Sequence, residues 1–399
     1  MTVCPSCAEP LEPEDVFCGA CGTNLADPPP APTPDTGDSG TGDSASTTGD
    51  SASTTGDFVL AAPAHLLLDD EDESAAAGPP CTRCDGGHIA DDGYCDSCGA
   101  AQPRPRDHME RALDGVAGVS DRGVRHHRNE DCFTVAATSL PDGASAVVAV
   151  VCDGVSSATR PDEASQSGSD TASESLLTAL ESGTEPLRAM HDALLDAARA
   201  VDALAYDGTG PAPGDGHHNS PACTCVAAVA TGGTVTIGWI GDSRAYWVPD
   251  DRETAEPYRL TEDDSWAARM VSAGLMAEAE AYADPRAHAI TGWLGADAGE
   301  LDPHTLSFTP HVPGVVLVCT DGLWNYAEAA TALADAVPAD ARTEPLRAAQ
   351  ELVKFALAGG GHDNITVAVL PFPPAPVRRP ESVERTPTVV DLPVVPPTT

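Results

Sequence analysis

The chain predicts an α+β domain over residues 110–372, preceded by two small cysteine-rich modules, and three observations carry that expectation. Short, β-branched apolar runs bounded by turn residues recur through the larger segment. Stretches with apolar residues at helical spacing fall in pairs between those runs, which argues for a layered α+β domain over a parallel doubly wound sheet. Eight of the 13 cysteines stand in two groups of identical spacing near the N-terminus.

Taking the chain in order, Cys4, Cys7, Cys18 and Cys21 share with Cys81, Cys84, Cys95 and Cys98 the pattern Cys-x2-Cys, ten residues, Cys-x2-Cys. Gly19 and Gly22 flank Cys21 and Gly99 follows Cys98, providing the tight turns that metal-binding knuckles need. Two knuckles joined by a short hairpin bring four thiolates to one tetrahedral zinc ion. A disulfide framework and redox Cys-x-x-Cys pairs compete with that reading. The N-terminus shows no charged-then-apolar secretion pattern, and redox pairs sit at strand-to-helix junctions of larger folds. Segments this short cannot fold on a core of their own, so a metal is expected to hold residues 1–26 and 78–102 together. Both resemble the zinc ribbons found at the ends of bacterial regulatory proteins, which implies two structural zinc ions and a role in binding other proteins.

Residues 27–77 are expected to be a disordered linker. Pro28 to Pro34 opens it, and Thr-Gly-Asp recurs from Thr41, Thr48 and Thr55. Such sequence cannot bury enough apolar surface to offset its ordering entropy. Beyond residue 110, strands are expected at Ala146 to Cys152, Cys225 to Ala230, Thr234 to Ile240, Val315 to Thr320 and Ile365 to Leu370. Helices are expected at Ser165 to Glu181, Pro186 to Tyr206 and Glu344 to Ala358, the second carrying Leu187, Met190, Leu194, Leu195 and Ala198 on one face. Cys132, Cys152, Cys223, Cys225 and Cys319 have no ligand spacing and read as small buried hydrophobes. Residues 373–399 form a Pro-rich tail.

A net charge of -41 with a single lysine, Lys354, leaves no basic stripe for nucleic acid or an anionic membrane. Apolar runs are far shorter than the ~20 residues that span a bilayer. A cytoplasmic location is therefore expected.

The acidic residues carry the chemistry. Asp153 and Gly154 follow one apolar run, Asp242 follows another, Asp321 and Gly322 follow a third, and Asp363 with Asn364 precedes a fourth. Any one is an ordinary turn former. Together they place carboxylates at strand ends, where neighbouring strands converge and like charges repel unless cations neutralise them. Hard oxygen donors without a histidine cluster favour Mg2+ or Mn2+.

Read in order, Arg125-His-His-Arg-Asn-Glu-Asp131, Val151-Cys-Asp153-Gly154, Gly241-Asp242-Ser-Arg244, Cys319-Thr-Asp321-Gly322-Leu323 and His362-Asp363-Asn364-Ile-Thr resemble the motif series of the metal-dependent type 2C protein serine/threonine phosphatases. Leu260-Thr261 through Ser265 and Ile290-Thr291 with Leu294-Gly295 support it. The resemblance implies a four-layer α-β-β-α sandwich. It implies that Asp153 bridges two metals, with the Gly154 carbonyl on one and Asp321 and Asp363 completing the first. It further implies that Glu130 and Asp131 orient metal-bound water, that Asp242 serves a third, weaker metal, and that Arg125 grips phosphate. The implied activity is hydrolysis of phosphoserine and phosphothreonine by water activated between two metals. Implied partners are phosphoproteins, including serine/threonine kinases and their targets. Val155 stands where eukaryotic members carry a histidine, which leaves His126 and His127 as candidate proton donors, and Asp264 replaces the usual histidine of Leu-Thr-x-Asp-His-Ser. Glu262 to Pro285 should correspond to the family's flap. The competing reading is a catalytically silent scaffold of the same fold. In the tail, Thr388 followed by Asp391 resembles the phosphothreonine motif read by forkhead-associated domains.

Overall fold

The computed structural model describes residues 102–208 and 219–374, together with 2–3, 10–11, 84, 89, 95 and 97–98. The expected linker, Cys4, Cys7, Cys18, Cys21, Cys81, and the tail from residue 375 with Thr388 and Asp391 lie outside the described residues. A two-residue antiparallel pair, β1 (Thr2–Val3) with β2 (Pro10–Leu11), stands near the start of the chain.

From residue 108 onward the chain builds two antiparallel sheets. The first has the order β10-β9-β12-β13-β4-β3 and the second β11-β8-β7-β6-β5. Their strands are β3 (His108–Leu113), β4 (Val116–Asp121), β5 (Cys132–Ser139), β6 (Ser145–Cys152), β7 (Cys225–Ala230), β8 (Val235–Ile240), β9 (Arg244–Pro249), β10 (Tyr258–Arg259), β11 (His304–Phe308), β12 (Gly314–Cys319) and β13 (Ile365–Phe372). The helices are α1 (Pro161–Glu181), α2 (Pro186–Leu204), α3 (Trp266–Ser272), α4 (Glu278–Ala281), α5 (Asp321–Trp324), α6 (Ala330–Ala336) and α7 (Pro345–Gly359).

All five expected strands are present as β6, β7, β8, β12 and β13, and the expected helices are α1, α2 and α7. α1 begins earlier than its apolar spacing indicates, because Pro161 at its first position and Asp162 and Glu163 in its first turn favour a helix N-terminus. Pro186 likewise opens α2, where the Glu185 carboxylate accepts the Arg188 backbone N–H at 3.1 Å.

The central strands read as continuous apolar runs because both of their faces are covered. In β13, Ile365, Val367 and Val369 join a cluster with Leu323, Trp324, Leu333 and Leu352 of α5, α6 and α7. The alternate residues Ala368, Leu370 and Phe372 meet Val147, Val226 and Ile237 of the other sheet. That second sheet turns Val148, Val150 and Val229 toward Leu176, Met190 and Leu194 of α1 and α2. A slip of one residue in any central strand would exchange two differently packed faces, so the register is tightly specified. The segment expected to be a flap holds α3 and α4, around a small core of Ala267, Ala281 and Ala287.

Candidate active site

Antiparallel order brings the carboxylates together. β6 and β12 end where β5 and β13 begin, so Asp131, Asp153, Asp321 and Asp363 all lie at strand ends on one side of the paired sheets, and the β8–β9 turn adds Asp242. Asp131 is fully buried, whereas the other four keep an edge open to solvent. At Gly154 an added Cβ would lie 2.6 Å from the backbone oxygens of both Glu130 and Pro161, so only glycine lets the chain turn beside Asp153. At Gly322 a Cβ would collide with the Asn364 carbonyl.

The position of Asp131 is set by a relay of hydroxyls. Its Oδ2 accepts from Thr366 Oγ1 at 2.8 Å and Thr320 Oγ1 at 2.9 Å. Behind them Asn129 Nδ2 donates to Ser120 Oγ at 2.8 Å, and Ser120 lies 2.7 Å from Thr366 Oγ1. Asn364 ties the loop to β13: its Oδ1 accepts the Glu130 backbone N–H at 2.6 Å, while its Nδ2 donates to the carbonyls of Arg122 and Arg128. Glu130 is engaged elsewhere. Its Oε1 accepts from Arg128 Nε and its Oε2 from the Ser156 hydroxyl, both at 2.7 Å.

Burial, followed by repulsion from Asp131, Asp321, Asp363 and Asp242, holds the Asp153 carboxyl well above the usual carboxylate range. Asp321 is raised in the same way by burial and then by Asp363, Asp242 and Asp131. Burial pushes Asp131 up to about 7, against the pull of its Thr366 hydrogen bond, and pushes Asp242 up to about 7 with Asp263 adding to it. The Oδ1 atoms of Asp131 and Asp321 are buried without a hydrogen-bond partner. A group this hard to ionise, all oxygen and with orphaned acceptor atoms, has the donor chemistry of a divalent-cation site.

Among the basic residues, the structure sets His126 directly against a member of the group, with Nε2 3.1 Å from Asp363 Oδ1. Arg122 holds that loop by donating to the His126 carbonyl at 2.7 Å. Arg125 is exposed in the preceding turn, and His127 is exposed as well. Asp264, which departs from the family pattern, works as a clamp: its Oδ2 accepts the Gly241 N–H and its Oδ1 meets His304 Nε2, both at 2.9 Å, while its carbonyl accepts the Thr291 N–H at 2.6 Å. Arg244 is buried, donates from Nε and Nη2 to the two carboxylate oxygens of Asp263 at 2.9 and 2.6 Å, and stacks 3.5 Å over Trp324. Trp324 Nε1 in turn donates to the Asp242 carbonyl at 3.0 Å, which fixes the turn carrying that carboxylate.

The remaining cysteines are buried as expected. Burial raises the Cys132 and Cys152 thiols and pushes Cys319 up to about 12, which removes them as nucleophiles. In the separate N-terminal unit, the sulfurs of Cys84, Cys95 and Cys98 lie within 4.8 Å of one another. Cys84 and Cys95 are 3.6 Å apart, and the Cys98 N–H donates to Cys95 Sγ at 3.4 Å.

The signals missed in the sequence were the supports. Ser120, Thr320 and Thr366 are ordinary residues in sequence whose contacts follow from strand pairing, and Arg106 meets a loop and the start of α1 from a 3-10 turn.

A model of the protein phosphatase 2C family matches residues 122–357. The serine/threonine protein phosphatase PstP of Mycobacterium tuberculosis is 31% identical over 147 residues, 37% of this chain and 26% of that protein. The serine/threonine phosphatase stp of Listeria innocua is 30% identical over 152 residues, 38% of this chain and 57% of that protein. The chain thus spans about a quarter of the first relative and just over half of the second. Among solved structures, the serine/threonine phosphatase Stp1 from Staphylococcus aureus aligns with a TM-score of 0.50 at 21% identity, covering 68% of this chain and 98% of that one, which is a likeness of fold. Because the family match takes in more than half of the residues, Asp131, Asp153, Asp242 and Asp321 among them, the chain belongs to the protein phosphatase 2C family.

Proposed function

We propose that the chain is a metal-dependent protein serine/threonine phosphatase acting on phosphoserine and phosphothreonine in proteins. The observation that carries the reading is the convergence of carboxylates around Asp153, two of them with orphaned oxygens. Asp153 and the Gly154 carbonyl, with Asp321 and Asp363, are the residues that would hold two Mn2+ or Mg2+ ions. Asp131 and Asp242 would serve the same group, Asp242 toward a third and weaker ion. When bound, such ions neutralise phosphoryl oxygens and lower the pKa of water to near neutrality. Asp131, fixed by its hydroxyl relay, and Glu130, fixed by Arg128 and Ser156, would orient the attacking water. Arg125 would grip the phosphoryl group with its guanidinium fork. No side-chain nucleophile is called for, which agrees with the buried, raised thiols.

The same reading takes the domain as a four-layer α-β-β-α sandwich and the chain as cytoplasmic. No helix among the described residues is long and apolar enough to cross a membrane. Two zinc ribbons at the N-terminus would target the enzyme; the approach of Cys84, Cys95 and Cys98 bears on the second of them alone. Substrates would include serine/threonine kinases and their targets, and Thr388 with Asp391 would offer a forkhead-associated domain its motif.

Hydrolysis of a phosphothreonine peptide, measured with Mn2+ and then with excess chelator, tests the function. Turnover that depends on Mn2+ and disappears in Asp153→Ala is the expected result. Turnover that survives both chelation and the substitution would overturn it, and a folded, Mn2+-loaded chain with no turnover would favour the silent scaffold.

A further inference from the structure

We infer that Arg106 is a positioning residue for the carboxylate centre, clamping the main chain of Asn129–Asp131 from a segment outside the family match. Pro105–Asp107 forms a single 3-10 turn just before β3, and the guanidinium of Arg106 reaches from it to five acceptors. Nε donates to the Asn129 carbonyl at 3.0 Å. Nη2 donates to the Asp131 carbonyl at 3.0 Å, the Asp162 carbonyl at 2.8 Å and Ser165 Oγ at 3.0 Å. Nη1 donates to Gln166 Oε1 at 3.1 Å. The contact is returned, because Asn129 Nδ2 donates to the Arg106 carbonyl at 3.0 Å.

The arrangement holds every carbonyl of the tripeptide. Arg106 takes those of Asn129 and Asp131, and the Ser165 hydroxyl takes that of Glu130. Glu130 and Asp131 therefore cannot rotate about their backbone without breaking charge-assisted hydrogen bonds. The buried Oδ1 of Asp131 stays unpaired among the carboxylates, and the Glu130 carboxylate stays on Arg128 and Ser156. By joining this loop to the first turn of α1, the same guanidinium also braces the stretch that follows Gly154, whose backbone packs against the carbonyls of Glu130 and Pro161. A lysine could answer one of these acceptors but not carbonyls on both sides of Glu130, since its three donors share one nitrogen. Arg106 directs its donors at the main chain of this loop, the first turn of α1, Ser165 and Gln166, and at none of the five carboxylates. Its effect passes through Asp131.

The inference rests on the metal-dependent reading, and the wild-type chain's own Mn2+ binding reports on that reading separately. The test uses the full-length wild-type chain, Arg106→Lys and Arg106→Ala. Mn2+ affinity is measured by calorimetry, thermal unfolding in chelator, and kcat and KM on an aryl phosphate. Outer contacts to ligand side chains are worth about 10- to 100-fold in metal affinity. Both variants should weaken Mn2+ binding by at least about tenfold and lower kcat at saturating Mn2+ with little change in KM. Millimolar guanidinium should restore part of the loss in Arg106→Ala but not in Arg106→Lys, whose ammonium still fills the site. The idea is overturned if folded Arg106→Lys binds Mn2+ as the wild type does. It is equally overturned if Arg106→Ala loses thermal stability while its folded fraction keeps wild-type Mn2+ affinity and kcat.

Discussion

Among the described residues, side chains able to ligate a metal gather in two places, and they are built on opposite plans. The carboxylate centre stands at the end of two sheets whose cores are complete without it. Val148, Leu176, Leu194, Leu317 and Leu352 are all fully buried regardless of what the aspartates hold. Cys84, Cys95 and Cys98 also bring their sulfurs together, yet the described residues around them supply no comparable core. In the first region a scaffold forces repelling groups together and stores the cost in their raised pKa values. In the second, the bound ion would have to provide the folding energy itself. Loss of metal should therefore silence one region and unfold the other.

The largest effect expected is on turnover. Asp153 stands among the other four aspartates, so Asp153→Ala removes the group proposed to hold both ions. With several kcal/mol of charge stabilisation at stake, kcat should fall about a thousandfold or more. Circular dichroism should stay near wild type, because that side chain contributes nothing to the three main core clusters, and the thermal midpoint in chelator at neutral pH should rise, because a carboxyl that burial and its neighbours hold above its ordinary range is gone. A variant that unfolds would show that the carboxylates and the cores are not separable in this way.

Chelation distinguishes the two plans next. A strong chelator should leave the hydrogen-exchange protection of β6, β12 and β13 intact while residues 78–102 lose theirs. Adding back zinc alone should restore the cysteine region but not turnover. If both regions keep their protection without metal, the cysteines are held by something other than an ion.

Arg125→Ala should have a smaller effect, raising KM for a phosphopeptide about tenfold, in the range of one charged hydrogen bond. His126→Ala is the informative companion, because His126 is the residue seen against Asp363. A larger KM effect at His126 than at Arg125 would move the phosphate-gripping role one residue along the loop.

How much of this was legible in the sequence follows from burial. Strands such as β6 and β13 announce themselves because both faces are covered, leaving unbroken apolar runs. β3 was missed because it is an edge strand whose residues His108, Glu110 and Arg111 are exposed. β9 was missed because it opens with a buried arginine whose partner, Asp263, lies 19 residues away. The aspartates could be read from their places beside strand ends. Their supports could not, since Thr366 meets Asp131 across 235 residues and Asn364 meets Glu130 across 234. The same distance in sequence left His126 legible only as a candidate proton donor, because its approach to Asp363 depends on β4 pairing with β13.

The pH dependence of the metal-free chain tests the stored repulsion more gently. Asp242 has a folded-state pKa pushed up to about 7, above the ordinary value of 3.8. Its protonated form is favoured by the fold, so the stability it contributes is fully present below the unfolded value and is lost as pH rises through about 7. In chelator, Asp242→Asn should therefore match the wild type near pH 4 and exceed it at pH 8. A gain on the order of 1 kcal/mol would raise the thermal midpoint by about 2–4 °C. Saturating Mn2+ should shrink that gain, because the wild type then has a cation to neutralise the charge. A gain independent of pH would mean that packing, not ionisation, is what the carboxyl costs.

The smallest effect expected comes from removing the N-terminal region. None of the carboxylates, nor Arg106, lies before residue 102. A chain beginning at residue 102 should hydrolyse a small aryl phosphate within about twofold of the full-length protein, the difference a surface change of under ~0.5 kcal/mol would make. Starting the chain at His108 instead also removes the 3-10 turn and its guanidinium. That second cut should cost at least about tenfold in Mn2+ affinity if the Asn129–Asp131 loop depends on it. The pair of truncations places the functional boundary of the catalytic domain between Gln102 and His108, ahead of the family match that begins at residue 122. Equal Mn2+ affinity in both would put the boundary later and leave the cysteine region and the turn alike outside the catalytic machinery. A loss already present in the chain starting at 102 would mean that the thiol-bearing region supports the carboxylate centre directly, and the contrast between a self-sufficient scaffold and a metal-made module would fail.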